Sequence, residues 1–168
     1  KVALWSHTVL CAAAAKLAGR PVKLVLSREG VFRLVGGRTL AEQRVALGAD
    51  ANGALTALIH TGTTATTTHA RYPEQLSLTS RHVYATTNLR SGQDVVNLDT
   101  VANTWMRAPG DALATYALEV AIDELAVAMQ IDPIELRRRN EPTQDPTTGA
   151  PFSSRHLLEC FAQGAEVF

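Results

Sequence analysis

The residues best placed to do chemistry lie in Trp105-Met106-Arg107-Ala108-Pro109-Gly110-Asp111, a Pro-Gly turn set against the start of a long apolar-periodic stretch. The first amides of a helix have no carbonyl partner within it and point outward. With the helix dipole they attract anionic oxygens, so a phosphate, an oxo group or a dithiolene suits this position. The same residues also make an ordinary helix start capped by Asp111, and the spacing leaves both readings open. Other chemistries are poorly served. The five histidines, His7, His60, His69, His82 and His156, form no H-x-H, H-x-x-x-H or H-E-x-x-H, so no metal ligand is assigned. There is no P-loop, G-x-S-x-G or G-x-G-x-x-G, and Gly36-Gly37 alone is a weak signal. Arg137-Arg138-Arg139 could meet a phosphate. On a short helix it reads as a solvated face, with Glu135 and Arg138 in reach at i, i+3. Cys11 and Cys160 form no C-x-x-C, and two buried thiols are expected rather than a disulfide.

The elements that must hold the turn are read from periodicity. Val9, Leu10, Ala13, Ala14 and Leu17 recur at helical spacing, predicting a helix over Ser6–Ala18 with Ser6 as N-cap and Gly19 at C′. Val22–Ser27 alternates and is β-branched, so a strand is expected there. Strands are also expected over 42–49 and from Ala54 to about Thr68, joined by a hairpin at Asp50-Ala51-Asn52-Gly53, where Asn-Gly accepts positive φ. The second strand ends in the threonine-rich run 61–68, expected to face solvent, with a wet cavity as the alternative. Further strands are expected at His82–Ala85 and Gln93–Asn103. A long helix is expected over Asp111–Met129, with Leu118, Ile122, Leu125, Ala126 and Met129 on one face. Asp132-Pro133 caps and opens a short helix, and a last helix starts near Ser154. Strands early and helices late make an α+β pattern, a mixed or antiparallel sheet with packed helices, read as one partial domain over residues 1–168.

Composition narrows the class. Sixteen Lys+Arg balance sixteen Asp+Glu in 168 residues, which excludes a charged tail and a nucleic-acid binder working through bulk charge. The longest apolar run, Val9–Ala18, is broken by Lys16 and falls short of the ~20 residues that span a bilayer. Lys1–His7 does not read as a signal peptide, and the C-terminal helix has no stop signal, so a piece of a longer polypeptide is expected. Such a piece would expose surfaces meant for the rest and self-associate.

Several segments, in this order and spacing, resemble one family. They are Ala18–Lys23, Ser27-Arg28-Glu29 leading to Gly36-Gly37-Arg38, Asn88-Leu89-Arg90, Arg107–Gly110, and Glu119 through Asp123-Glu124-Leu125-Ala126 to Asp132–Asn140. The chain is similar to the molybdenum-cofactor-binding large subunit of the molybdenum hydroxylases, the xanthine dehydrogenases and aldehyde oxidases. The resemblance implies that the Arg-Ala-Pro-Gly turn lies against the cofactor. Arg107 would contact it through its backbone amide, with Ala108 and Gly110 in the same turn, and Pro109 would help wall the substrate pocket. Lys1 resembles the last residue of the family's Gly-Gly-Phe-Gly-Gly-Lys loop. The family's upstream Gln and downstream general-base Glu have no counterpart in this sequence. No catalytic residue is therefore assigned, and the chain alone is expected to be inactive. The purine-oxidising branch has a Glu after the Lys and an Arg before the Asn-Leu-Arg-like segment; here Val2 and Gln75 stand in those places. Without these polar anchors the pocket suits an aldehyde or aromatic heterocycle better than a purine.

The implied protein is the molybdenum-binding subunit of a bacterial aldehyde oxidoreductase, acting on a small-molecule substrate. Its partners would be the remainder of the molybdenum subunit and separate iron–sulfur and flavin (FAD) subunits, with no nucleic acid and no membrane, in the cytoplasm or periplasm. A purine hydroxylase and a stand-alone non-catalytic remnant of the fold are the alternatives.

Overall fold

The computed structural model describes residues 4–68 and 71–168, so Val2, Lys1 and His69 lie outside the described residues. The chain divides into two compact units. One comprises residues 1–40, 65–73 and 96–106; the other comprises 41–64, 74–95 and 107–168. No helix among the described residues is long and apolar enough to cross a membrane.

The first unit contains α1 (Ser6–Ala18) and α2 (Arg28–Leu34). Helix α1 has the expected bounds and ends on Gly19 at φ 63°, but its N-cap is Trp5 rather than Ser6. Its apolar stripe meets no core among the described residues: Leu10 and Leu17 are exposed. Val22–Ser27 forms no strand. β-branched residues favour a pleated, half-buried surface, and here Leu24 and Val25 are exposed with no neighbouring strand to pair. Ser27 instead caps α2, its Oγ accepting from Gly30 N–H at 3.0 Å. Gly36 is needed by a close approach, since a Cβ there would lie 1.9 Å from the Ala102 carbonyl oxygen. Asn103 ties Thr39 to Ala65, donating to the Thr39 hydroxyl at 2.9 Å and to the Ala65 carbonyl.

The second unit carries most of the sheet and the core. Strands β1 (Ala41–Ala49), β2 (Leu55–Thr66) and β3 (Leu89–Asn97) lie in the order β1-β2-β3. β1 and β2 form an antiparallel hairpin through the Asn-Gly turn, with Gly53 at φ 86° and Asp50 Oδ1 accepting from Asn52 and Ala54 N–H. β2 and β3 run in the same direction: Leu58 N–H reaches Asn88 O at one end and Leu98 N–H reaches Thr66 O at the other, which makes the sheet mixed. Strict alternation would put Leu55 and Leu58 on opposite faces. A register shift between Gly48 and Ala49 adds a residue to β2 there, and both leucines are buried. Helix α3 (Asp111–Met129) packs on β1 with Ala114, Leu118, Ile122 and Ala126 buried, close to the expected face. Leu55, Leu58, Tyr84, Leu118, Ile122, Ala126 and Leu136 form the core.

Several expectations give way here. His82–Ala85 is not a strand, and β3 begins at Leu89 and ends at Asn97. The threonine run does not face solvent as a whole: Thr64, Thr66 and Thr67 are each at most 1% exposed, whereas Thr61 and Thr63 are half-buried and Thr68 is exposed. The arginine run on α4 (Pro133–Arg139) is not one solvated face. Arg137 turns inward and bonds Glu119 and Asp123 of α3, each at 2.8 Å, and Glu119 also accepts from the buried Tyr84 hydroxyl at 2.8 Å. Burial and the Glu119 carboxylate push the Tyr84 hydroxyl well above the usual phenol range. Glu135 pairs with Arg139 at i, i+4, not with Arg138. The last helix, α5, spans Leu157–Val167. Cys160 is exposed and Cys11 half-buried, both free, so Cys160 is not the buried thiol expected; α5 has no buried residue.

Candidate functional site

The Arg107–Gly110 turn opens α3, and its backbone is unusual. Ala108 has φ 56° and Gly110 φ 81°, with Pro109 between them. A non-glycine residue in the left-handed region costs roughly 1–2 kcal/mol, so the surroundings must hold it there. The holding groups are backbone and buried side chains. Ala108 O accepts from Ala112 N–H at 3.1 Å, and Gly110 O from Ala114 N–H at 2.9 Å. Gly110 N–H points inward to Glu74 Oε2 at 3.3 Å. A Cβ on Gly110 would lie 2.9 Å from the Gln75 carbonyl oxygen, so only glycine closes the turn on that segment. Arg107, Ala108 and Pro109 are exposed, whereas Gly110 is buried.

Two further arms fix the start of α3. Thr79, in a 3₁₀ turn over Thr79–Arg81, donates to Asp111 Oδ1 at 3.2 Å. Asp111 therefore does not cap the helix; Gly110 is the N-cap and no side chain caps it. The other arm crosses the sheet. Gln43 Nε2 donates to Leu113 O at 3.2 Å, which leaves its Oε1 to accept from His60 Nε2 at 2.9 Å. His60 Nδ1 then accepts from the Ser80 hydroxyl at 2.6 Å. Gln43 sits opposite Gly62 in the ladder, so His60 is its diagonal neighbour on the same face. His60 is 0% exposed, and burial holds its pKa below the ordinary imidazole value. A neutral imidazole is what this network needs.

Of the residues singled out from sequence, Arg107, Ala108, Pro109 and Gly110 form one turn, and exposed Gln75 belongs to the segment packed against it. Val2 lies outside the described residues. Glu74 and Gln93 are functional candidates that sequence reasoning missed. Glu74 stands beside Gln75 as a lone carboxylate in a loop that otherwise holds no acid, a signal available but not used. Gln93 carries no sequence signal, because its importance lies in contacts across β3. Among the described residues no cluster of His, Cys, Asp and Glu could hold a metal ion. Any group at the turn would be held through backbone amides and packing. The outward-facing residues of the turn are Arg107, Ala108 and Pro109, with the neutral, exposed Gln75 in the segment packed against it.

A family model described as the molybdopterin cofactor-binding domain matches residues 1–141. The chain is 37% identical over 169 residues to the aldehyde oxidoreductase molybdenum-binding subunit PaoC of Escherichia coli (strain K12), covering all of this chain and 23% of that protein. It is 32% identical over 165 residues to the putative xanthine dehydrogenase molybdenum-binding subunit XdhA of the same strain, covering 91% of this chain and 21% of that protein. The chain thus spans under a quarter of the length of these curated relatives. Among solved structures, the aldehyde oxidoreductase from Desulfovibrio gigas matches with a TM-score of 0.80 and 24% identity over 99% of this chain and 19% of that one. The CO dehydrogenase from Oligotropha carboxidovorans matches with a TM-score of 0.78 and 20% identity, over 99% of this chain and 22% of that one. These two likenesses are of fold.

Proposed function

The chain belongs to the molybdopterin cofactor-binding domain family of xanthine dehydrogenase and aldehyde oxidoreductase molybdenum-binding subunits, close to the bacterial aldehyde oxidoreductases, and from that premise we propose that it serves as a cofactor-contacting part of an aldehyde-oxidising subunit. The observation that carries the proposal is the Arg107–Gly110 turn, whose left-handed Ala108 is held from beneath while three residues face outward. Strained backbone that its surroundings over-determine is a mark of functional sites.

When bound, the cofactor supplies the redox chemistry, hydroxylation of an aldehyde or aromatic heterocycle with water-derived oxygen and delivery of electrons to iron–sulfur and FAD groups on partner subunits. The chain supplies placement. The backbone amide of Arg107 binds the cofactor, with Ala108 and Gly110 shaping the turn. Pro109 walls the substrate pocket. Gln75 is a neutral amide and gives the pocket no fixed charge to grip a purine edge. The general base and the rest of the cofactor cradle come from other parts of the same subunit.

The test uses the protein purified at its full encoded length with its partner subunits. Molybdenum should co-purify near one atom per chain, and an aromatic aldehyde should be oxidised with a higher kcat/KM than xanthine. Absence of molybdenum refutes cofactor binding, and a preference for xanthine refutes the aldehyde assignment.

A further inference from the structure

We infer that Glu74 is a positioning residue for the Arg107–Gly110 turn, holding the turn's last amide from inside the protein so that the exposed residues keep their cofactor-facing shape. The inference rests on the reading of the turn proposed above. Glu74 is 1% exposed, and its Oε2 accepts from Gly110 N–H at 3.3 Å, so removing it leaves a buried amide without that partner. A glutamine would accept that bond without the desolvation cost of a buried carboxylate.

Glu74 is itself gripped from the sheet. The Gln93 side-chain amide donates to Glu74 O at 2.9 Å and to Thr64 Oγ1 at 3.0 Å, while its Oε1 accepts from Leu76 N–H at 3.1 Å. One β3 side chain therefore holds the backbone on both sides of Gln75. Thr64, on β2, is 0% exposed. A line of hydrogen bonds runs from Thr64 through Gln93 and Glu74 to Gly110 and ends at the turn. Gly110 closes the arrangement from the other side, with no room for a Cβ against Gln75. Glu74 acts through Gly110, and the same segment carries Gln75, so one device sets both the turn and the neighbouring pocket residue.

The experiment compares the full-length protein, assembled with its partner subunits, with its Glu74→Ala, Glu74→Gln and Gln93→Ala variants. The readouts are the rate of molybdenum loss during dialysis well below the unfolding temperature and, separately, the unfolding midpoint. Molybdenum loss should be about tenfold faster in Glu74→Ala, the effect of leaving one buried amide unpaired, and intermediate in Glu74→Gln. Gln93→Ala should follow Glu74→Ala in direction. Asn140→Ala, which weakens the same unit away from the turn, should lower the midpoint without changing the loss rate. If Glu74→Ala does not accumulate as folded protein, Glu74→Gln and Gln93→Ala carry the comparison. Wild-type loss rates in the Glu74 variants, with or without a lower midpoint, overturn the inference while leaving the reading of the turn intact. Absence of molybdenum from the wild-type protein overturns both.

Discussion

Asn140 ties the β1–β2 hairpin to the end of α4, and replacing it by alanine should cost about 3 kcal/mol. Its side chain is 3% exposed and makes three bonds: Oδ1 accepts from Leu55 N–H at 2.7 Å, and Nδ2 donates to the Gly53 and Leu136 carbonyls, each at 2.8 Å. Each bond contributes roughly 1 kcal/mol net, and a buried donor left unpaired costs about 1–3 kcal/mol. Leu55 is 4% exposed, so water does not readily replace the acceptor. With a urea m-value of about 2 kcal/mol per molar, the midpoint should fall by roughly 1.5 M. Far-UV circular dichroism through a urea titration reads that shift. Asn140→Asp sharpens the test. It keeps the acceptor for Leu55 but points a carboxylate at two carbonyl oxygens, so at neutral pH it should be at least as damaging as alanine. Its deficit should shrink as the pH falls into the carboxyl range, because the protonated acid regains a donor. A midpoint change under about 0.3 M for alanine, together with a well-tolerated aspartate, would refute the reasoning.

Other outcomes follow from the same geometry. Burial lowers the His60 pKa below its ordinary 6.5, so the unfolded chain binds the proton more readily. Stability is then full above pH 6.5 and falls as the pH drops through the window just beneath it; a urea midpoint with the same pH slope in wild type and His60→Gln would contradict this. Arg137→Ala should cost about 2 kcal/mol, because it strands Glu119 beside Tyr84, whereas exposed Arg138→Ala should change stability by under about 0.5 kcal/mol. Equal effects on thermal midpoints would undo the distinction. Gly110→Ala combines a φ of 81° with a Cβ 2.9 Å from the Gln75 carbonyl oxygen, and it should destabilise by about 1–3 kcal/mol. A wild-type melting curve would argue against the close approach. Light scattering on the isolated 168-residue chain should show self-association, since Leu10, Leu17, Val25 and Phe32 are exposed. A clean monomer at high concentration would count against it.

What could be read from sequence was what is decided locally. The bounds of α1 and α3 match expectation because periodicity, Gly19 and the Pro-Gly turn act within a few residues of the ends they mark. The Asn-Gly hairpin and the Asp132-Pro133 helix start were legible for the same reason. The misreadings have a common cause in contacts distant along the chain. Val22–Ser27 has strand composition but no partner, and the threonine run looks solvent-facing until burial is known. Arg137 differs from Arg138 only because α4 turns it toward Glu119. The turn could be picked out from its motif. Most of its support could not, because Gln43 reaches α3 from β1 while Gln93 and His60 act only through Glu74 and Gln43, contacts distant along the chain.

The parallel pairing of β2 with β3 bears on how the chain is made. β1 and β2 join through a tight turn and can pair once residue 66 has emerged in synthesis. β2 is the central strand, and its second edge finds no partner until residues 89–97 follow. Helix α3, which covers the apolar side chains of the hairpin, comes later still. During that interval a strand carrying Leu55 and Leu58 presents an open edge, the state in which nascent chains aggregate. Slowing translation between residues 66 and 129 should therefore lower soluble yield more than slowing it after α4.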